Sequence, residues 1–349
     1  MPSMDGFFAC SSESDSVIFW LFQFDPLQNL MKRLFLLIFV CSLAVLFQLP
    51  ATQAESNAGK LVLGIVSISS NEANNQRFIQ AATKEAATKG WQVSVIDAAG
   101  SADQANAAIQ DLVQRKVGAI IDMVFPVSSL GAGLAATQQA QIPVATWGGG
   151  LGKGVVATNG SGGPMATPIV QMMLQDLGNK GAVLALTYHT GQVAREREQV
   201  LDEGLKQAPD VKVTKNEVRI PGYFEDGAQY ATAWLAAHPA NSAPLAIWGS
   251  WDDPALGAVS ALRQQNRADV KVYGENGNAQ AIESIRKGFM TATAWQDSAT
   301  EGVKLVDTLD EAIKAGKSWA PKAVEVPAVV ITKANVEEFV KEHPESVKK

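Results

Sequence analysis

The chain reads as an α/β protein made of two lobes, each a doubly wound parallel sheet, and three observations lead there. Between Lys60 and Thr332 the hydrophobic period switches, roughly every ten to fifteen residues, from short β-branched runs to helix-patterned stretches and back. Strands alternating with helices in this way form parallel sheets with right-handed crossovers. The strand-like runs are continuously apolar, as strands covered on both faces must be. The stretch after Ala54, about 295 residues, is too long for one small core and suits two.

The first lobe opens with Leu61–Val66, followed by a helix over Phe78–Lys89 that stops at Gly90. Trp91–Ile96 is the next strand. Asp103 is then the expected N-cap of a helix whose apolar face is Ala105, Ala108, Ile109, Leu112 and Val113. Val117–Val124, Ile142–Thr146 and Val155–Thr158 continue the strands, with a helix at Leu130–Ala140. In the second lobe the strands are Ala182–Thr187, Val211–Val218, Leu245–Trp248, Val270–Gly274 and Met290–Ala294. Its helices fall at 164–177, 193–207, 226–237, 254–265 and 278–287. A helix at 298–315 and a strand at 324–331 return to the first lobe. Residues 333–349 form a charged, solvated tail with a short helix.

Upstream, Met31-Lys32-Arg33 precedes the apolar run Leu34–Leu49 and the small-residue exit Ala51-Thr52-Gln53-Ala54. That order is a secretory signal over residues 31–54, cleaved after Ala54, so the expected location is the periplasm. Ser42, Gln48 and Pro50 interrupt the run and leave it short of the ~20 apolar residues a membrane span needs. Residues 1–30 carry four acids (Asp5, Glu13, Asp15, Asp25) and no Lys or Arg, so they read as a mis-assigned extension before a true start at Met31. Both cysteines, Cys10 and Cys41, fall before Ala54, leaving no disulfide framework and no thiol metal site. After cleavage 27 basic and 31 acidic side chains remain, a net charge of about −4, with no basic block for nucleic acid.

No catalytic motif is present: no HExxH, GxSxG, P-loop or Cys/His cluster accompanies the three histidines. His238 and His343 each precede Pro at a helix end. His189 follows a strand, at the sheet edge where ligands bind in open α/β folds. The glycine runs 148–150 and 160–163 fail the dinucleotide fingerprint, because no helix opens directly after the first. No metal or cofactor is implied. Trp147, Trp251 and Trp295 stand at or just past strand ends, where indole faces can cover the C–H faces of a sugar. Arg195 and Asp252 supply the donor fork and the acceptor pair that suit vicinal diols. Capping of the following helix is the plainer role for Asp252 or Asp253, and a surface ion pair for Arg195.

Residues 61–330 resemble periplasmic sugar-binding proteins of the ribose-binding type, whose fold is close to the effector domains of lactose-repressor-like regulators. The stretches carrying the resemblance are Val193-Ala194-Arg195-Glu196-Arg197, Trp251–Ala258 and Thr291–Gln296. It implies a type I periplasmic binding fold with a three-strand hinge. Lobe I would then be 60–158 plus 297–325, and lobe II 159–296 plus 326–332. Carried over by position, it places the cleft arginine at Arg195, an aromatic at Phe224, a polar position at Trp251, the cleft acid at Asn276 and the hinge glutamine at Gln296. The usual Asp-Arg pair is missing, since Gly148-Gly149 follow Trp147, and the first loop lacks its stacking Phe pair. Glu72 or Asn75 would replace the lost polar pair, with Asn71 a further candidate ligand contact in that loop. The resemblance implies a monomer that captures a small polar ligand, a sugar or polyol, and delivers it to the permease of an ABC importer. A membrane receptor kinase or chemoreceptor is the alternative partner.

Overall fold

The computed structural model describes residues 61–347 except Ser161. The expected export signal and the extension before it lie outside the described residues.

Six strands form the first sheet: β1 (Val62–Ser67), β2 (Gln92–Asp97), β3 (Ala119–Met123), β4 (Val144–Trp147), β5 (Val155–Asn159) and the short β11 (Lys322–Ala323). Their order is β11-β5-β4-β3-β1-β2 and every pair is parallel. The second sheet holds β6 (Lys180–Thr187), β7 (Asp210–Glu217), β8 (Leu245–Gly249), β9 (Val270–Asn276), β10 (Ala292–Trp295) and β12 (Val329–Thr332). It runs β12-β10-β9-β8-β6-β7, the same winding, but its edge strand β12 is antiparallel to β10. The chain passes between the sheets three times: after β5, after β10, and between β11 and β12.

Ten helices are described: α1 (Ala73–Thr88), α2 (Ala102–Gln114), α3 (Gly131–Ala140), α4 (Gly163–Asp176), α5 (Gln192–Lys206), α6 (Tyr223–Ala237), α7 (Asp252–Gln264), α8 (Ala279–Arg286), α9 (Ser298–Ala315) and α10 (Val336–Glu342). Fully buried Leu63, Ile65 and Ile121 on one face of the first sheet meet Phe78 of α1 and Leu305 and Leu309 of α9. In the second sheet Val183, Trp248 and Tyr273 meet Ile169 and Met173 of α4 and Leu201 of α5. α6 and α7 lie backbone to backbone. A Cβ at Gly257 would sit 2.1 Å from the Phe224 carbonyl oxygen, so only glycine fits there.

Local chemistry moves several boundaries. α1 begins at Ala73 rather than Phe78, because Glu72 caps it: its Oε2 accepts from the Asn75 amide at 2.7 Å. Ser101 caps α2 in place of Asp103, which lies in the first turn where a negative charge meets the helix dipole. The single strand expected at 324–331 is two short strands, one in each sheet. The tail is not solvated. Val336 and Phe339 are buried, and Phe339 meets Trp295 edge-on at 5.1 Å while stacking on His343 at 4.8 Å. Trp295 is thereby committed to core packing and is not a cleft wall.

Candidate functional site

The carboxyl ends of both sheets face one another across a cleft enclosing about 540 Å³, part of it open to solvent. The first lobe contributes the β1–α1 turn, Val124 after β3, Trp147 and Gly148 at the end of β4, and Gly160 after β5. The second contributes Tyr188 after β6, the first turns of α5, Ile220, Trp251, Asn276 and the crossing residue Gln296.

One wall is held by a buried acid. Trp147 stacks on Phe78 (4.6 Å between rings) and its Nε1 donates to Glu301 Oε2 at 2.7 Å. The same oxygen accepts from Gln296 Nε2 at 2.8 Å, and Gln296 Oε1 accepts from Asn74 Nδ2 at 2.9 Å. Burial pushes the Glu301 carboxyl up to about 7 against the pull of these two donors. A Cβ at Gly160, where φ is +75°, would lie 2.9 Å from the Trp147 indole, so glycine at this crossing spares the ring its place. The opposite wall is Trp251, set edge-on between Tyr188 (5.9 Å) and Tyr223 (5.7 Å).

Arg197 lies at the floor. It is buried, and donates to the Ser250 carbonyl at 2.6 Å and to Asn276 Oδ1 at 2.9 Å, while its Nε has no protein partner. Burial lowers its pKa, with Glu275, Asp252 and Glu72 opposing. Burial also raises Glu275, to about 8, so at neutral pH this neighbour is largely protonated. Two site residues have left-handed backbone, Val124 (φ +78°) and Asn276 (φ +100°). Such a φ on a β-branched residue is strained and persists only where surrounding contacts impose it. In both cases a carbonyl is bound across the cleft: Val124 accepts from the Gln192 amide at 2.9 Å, Asn276 from Arg77 Nη2 at 2.9 Å.

Arg77 is a latch between the lobes. From α1 it donates to the carbonyls of Asn276 and Gly277 (3.1 Å) at the end of β9, and within its own lobe to Asn74 Oδ1 (2.7 Å) and Ser298 Oγ (3.3 Å). Glu72 reaches over the same seam, its Oε1 lying 3.4 Å from Asn276 Nδ2 and 3.5 Å from Asn278 Nδ2. These contacts hold the cleft shut in this structure.

Of the residues singled out by sequence, Glu72, Asn75, Trp147, Trp251, Asn276 and Gln296 meet around this cleft. Trp295 and five others do not. Asn71 is exposed on the turn before α1. Arg195 is exposed and bonds only to Gln192 Oε1 at 2.8 Å. Two helical positions turn the chain by about 200°, so Arg195 faces away when Arg197 faces in. Phe224 is 41% exposed, and its neighbour Tyr223 packs on Trp251 instead. His189 lies on the outer rim between Glu198 (2.9 Å) and Glu217 (3.0 Å); the Glu217 bond chiefly raises its pKa. Asp252 is buried behind the wall. Its Oδ2 accepts from the Asn278 amide (2.6 Å) and its Oδ1 from Thr293 Oγ1 (2.7 Å), and burial pushes it up to about 7. It ties α7 to β9 and β10 and does not line the cleft.

Arg77, Asn74, Arg197, Tyr188, Tyr223 and Glu301 were not singled out. Helical spacing held a signal for three of them. Glu72 as cap puts Asn74 and Arg77 at i and i+3 on one face, and Ala194 to Leu201 turns Arg197 inward. Among the described residues, no group of three or more His, Cys, Asp or Glu gathers to hold a metal ion.

Residues 63–318 match the family described as a periplasmic binding protein domain. The ribose import binding protein of Escherichia coli is 29% identical over 301 residues, covering 82% of this chain and 98% of that one. The xylitol-binding protein of Mycolicibacterium smegmatis is 25% identical over 254 residues, 71% of this chain and 69% of the relative. Among solved structures, an ABC sugar transporter subunit from Rhodobacter sphaeroides superposes with a TM-score of 0.72 at 26% identity, over 79% of this chain and 99% of that one. An ABC transporter solute-binding protein from Agrobacterium vitis, with bound allitol, shares the fold at 23% identity, with a TM-score of 0.75 over 81% of this chain and 99% of its own. With two parallel-sheet lobes, a cleft at their carboxyl edges and this match along most of its length, the chain belongs to the periplasmic binding protein family and is of the ribose type in architecture.

Proposed function

We propose that this protein captures a small polar ligand, a sugar or polyol, between its lobes and hands it to the permease of an ABC importer. The supporting observation is the division of the site. Asn74, Asn75 and Glu72 come from one lobe, Arg197 and Asn276 from the other, and Gln296 from a crossing, so the set is assembled only when the lobes close. A ligand that bonds to both halves binds the closed state better and shifts the population toward it. Indole faces at Trp147 and Trp251 give C–H surfaces something to cover, while amides and a guanidinium meet hydroxyls. The relatives include proteins named for ribose and xylitol, which agrees with hydroxyl-rich cargo. Among the described residues of the cleft no nucleophile is hydrogen-bonded to a base, and capture rather than turnover is the activity assigned. Export to the periplasm by cleavage after Ala54 belongs to the same reading, and protein recovered from that compartment should begin at Glu55.

A thermal-shift screen of pentoses, hexoses and polyols, followed by calorimetry on the hits, tests the proposal. A true ligand raises the midpoint by mass action. It should also change tryptophan fluorescence, since two indoles line the cleft. If no sugar or polyol in the panel binds, the proposal fails.

A further inference from the structure

A second cavity lies on the hinge side of the cleft and encloses about 1150 Å³, part of it open to solvent. Residues 324–328, between β11 and β12, wall it together with the start of α4, and it shares Gly148, Gly160 and Gln296 with the cleft. Its charged side chains are three carboxylates, Glu196, Glu301 and Glu325. Among the described residues no Lys, Arg or His lines it.

The polar atoms left free at this cavity are acceptors. Glu301 is only 2% exposed; its Oε2 takes the Trp147 and Gln296 donors, while its Oε1 has no partner among the described residues. Asn159, 5% exposed, donates from Nδ2 to the Glu301 carbonyl at 2.8 Å, and its Oδ1 has no partner. Glu325 is exposed on the crossing itself. Both oxygens of Glu196 are taken, by Gln192 Nε2 (2.9 Å) and the Gly162 amide (2.8 Å), so this residue adds charge rather than a free acceptor.

A buried acceptor without a donor destabilises the fold until something with N–H or O–H groups arrives. A neutral donor would meet the hydrogen bonds but not the surplus negative charge. A bare metal ion does not suit either, since no three of the described acids, histidines or cysteines gather to hold one. Met165, Val326 and Val330 share the lining with the carboxylates, which favours a cation that carries hydrocarbon.

We propose that the hinge cavity is a second binding site, for a small aliphatic amine whose ammonium group is held by Glu301 Oε1 and Asn159 Oδ1. The site communicates with the cleft through Glu301. An ammonium at Oε1 keeps the carboxyl ionised, and the ionised form is the stronger acceptor for the Trp147 and Gln296 donors at Oε2. A cleft ligand that needs those two residues in place then binds better to amine-loaded protein, and the amine gains equally from the cleft ligand.

Calorimetric titration of the protein with 1,4-diaminobutane at neutral pH tests the site, with 1,4-butanediol as the neutral match in length. The diamine should saturate a single site and bind roughly ten- to a hundredfold more tightly than the diol. Glu301→Gln, which keeps an acceptor for Trp147, should abolish most of that difference. Glu325→Gln, on the exposed crossing where the fold is not at risk, should weaken the diamine roughly two- to fivefold. Glu72→Gln removes the one carboxylate among the described residues lining the cleft and should leave the diamine unaffected. The proposal is overturned by equal binding of diamine and diol, by undiminished binding in both hinge variants, or by a loss seen in Glu72→Gln instead. Each of those results leaves sugar capture standing, because the sugar screen probes the other cavity.

Discussion

Arg77 offers a test of closure that does not touch the ligand. Its guanidinium is outside the cavity lining, yet it bonds to the Asn276 carbonyl at 2.9 Å and the Gly277 carbonyl at 3.1 Å across the seam. Arg77→Met keeps the length of the side chain and removes every donor. Hydrogen bonds to a charged group contribute about 1.5–3 kcal/mol each, but opening returns both carbonyls and the guanidinium to water. Burial also lowers the pKa of Arg77, so part of its bonding offsets desolvation. The net loss expected for the pair is therefore that of one such bond, ~1.5–3 kcal/mol, on the closed state alone. Ligand affinity should fall roughly 10- to 150-fold. Calorimetry measures that change, and small-angle scattering should give a larger radius of gyration for the unliganded variant than for the wild type. Wild-type affinity together with a wild-type radius of gyration, with and without ligand, would show that Arg77 is no latch.

Four further outcomes follow from the packing. Arg197→Ala should weaken ligand binding roughly 10- to 150-fold, because it takes the guanidinium off the cleft floor and leaves Asn276 Oδ1 without its donor, a change of ~1.5–3 kcal/mol. Arg195→Ala should stay within a few-fold of wild type in the same titration, and a reversed ranking would return Arg195 to the site. Glu301→Gln should alter the pH dependence of stability. A Glu raised from 4.5 to about 7 binds more protons folded than unfolded, so its contribution is full below pH 4.5 and is lost as pH rises to about 7. Relative to wild type, the variant should therefore gain on the order of 3 kcal/mol between pH 4.5 and pH 8 in urea unfolding, and a parallel profile would refute the shift. Phe339→Ala should cost about 3–5 kcal/mol of unfolding free energy, since the ring is buried against Trp295 and His343; a solvated tail would lose almost nothing.

The sheet strands are readable from sequence because strands covered on both faces are apolar throughout, as in Leu61–Val66 and Leu245–Trp248. Pairing at a sheet edge is less readable. Val329–Thr332 is short and half-exposed, and only its partner β10 decides that it runs antiparallel. The site divides along similar lines. Trp147, Trp251 and Gln296 stand at strand ends, where topology alone aims residues at the cleft. Arg197 and Tyr223 sit on helices, where one or two positions choose between core and solvent, and a segment match at Val193–Arg197 or Gly222–Asp226 does not resolve that choice. The inward direction of α5 is set by Ala194 and Leu201, and Arg197 follows from them. Charge on the tail hides Val336 and Phe339, whose burial depends on the waiting edge of Trp295.

Asn276 serves three neighbours from one residue: its carbonyl meets Arg77, its Oδ1 Arg197 and its Nδ2 Glu72. The amide is the one side chain of its size that offers an acceptor on one side and a donor on the other. An aspartate in its place would still satisfy the guanidinium, but would turn a lone pair on Glu72 each time the jaws meet. Redesign of cargo preference through this residue is therefore a paired exchange, in which position 72 must change its hydrogen-bonding sense at the same step.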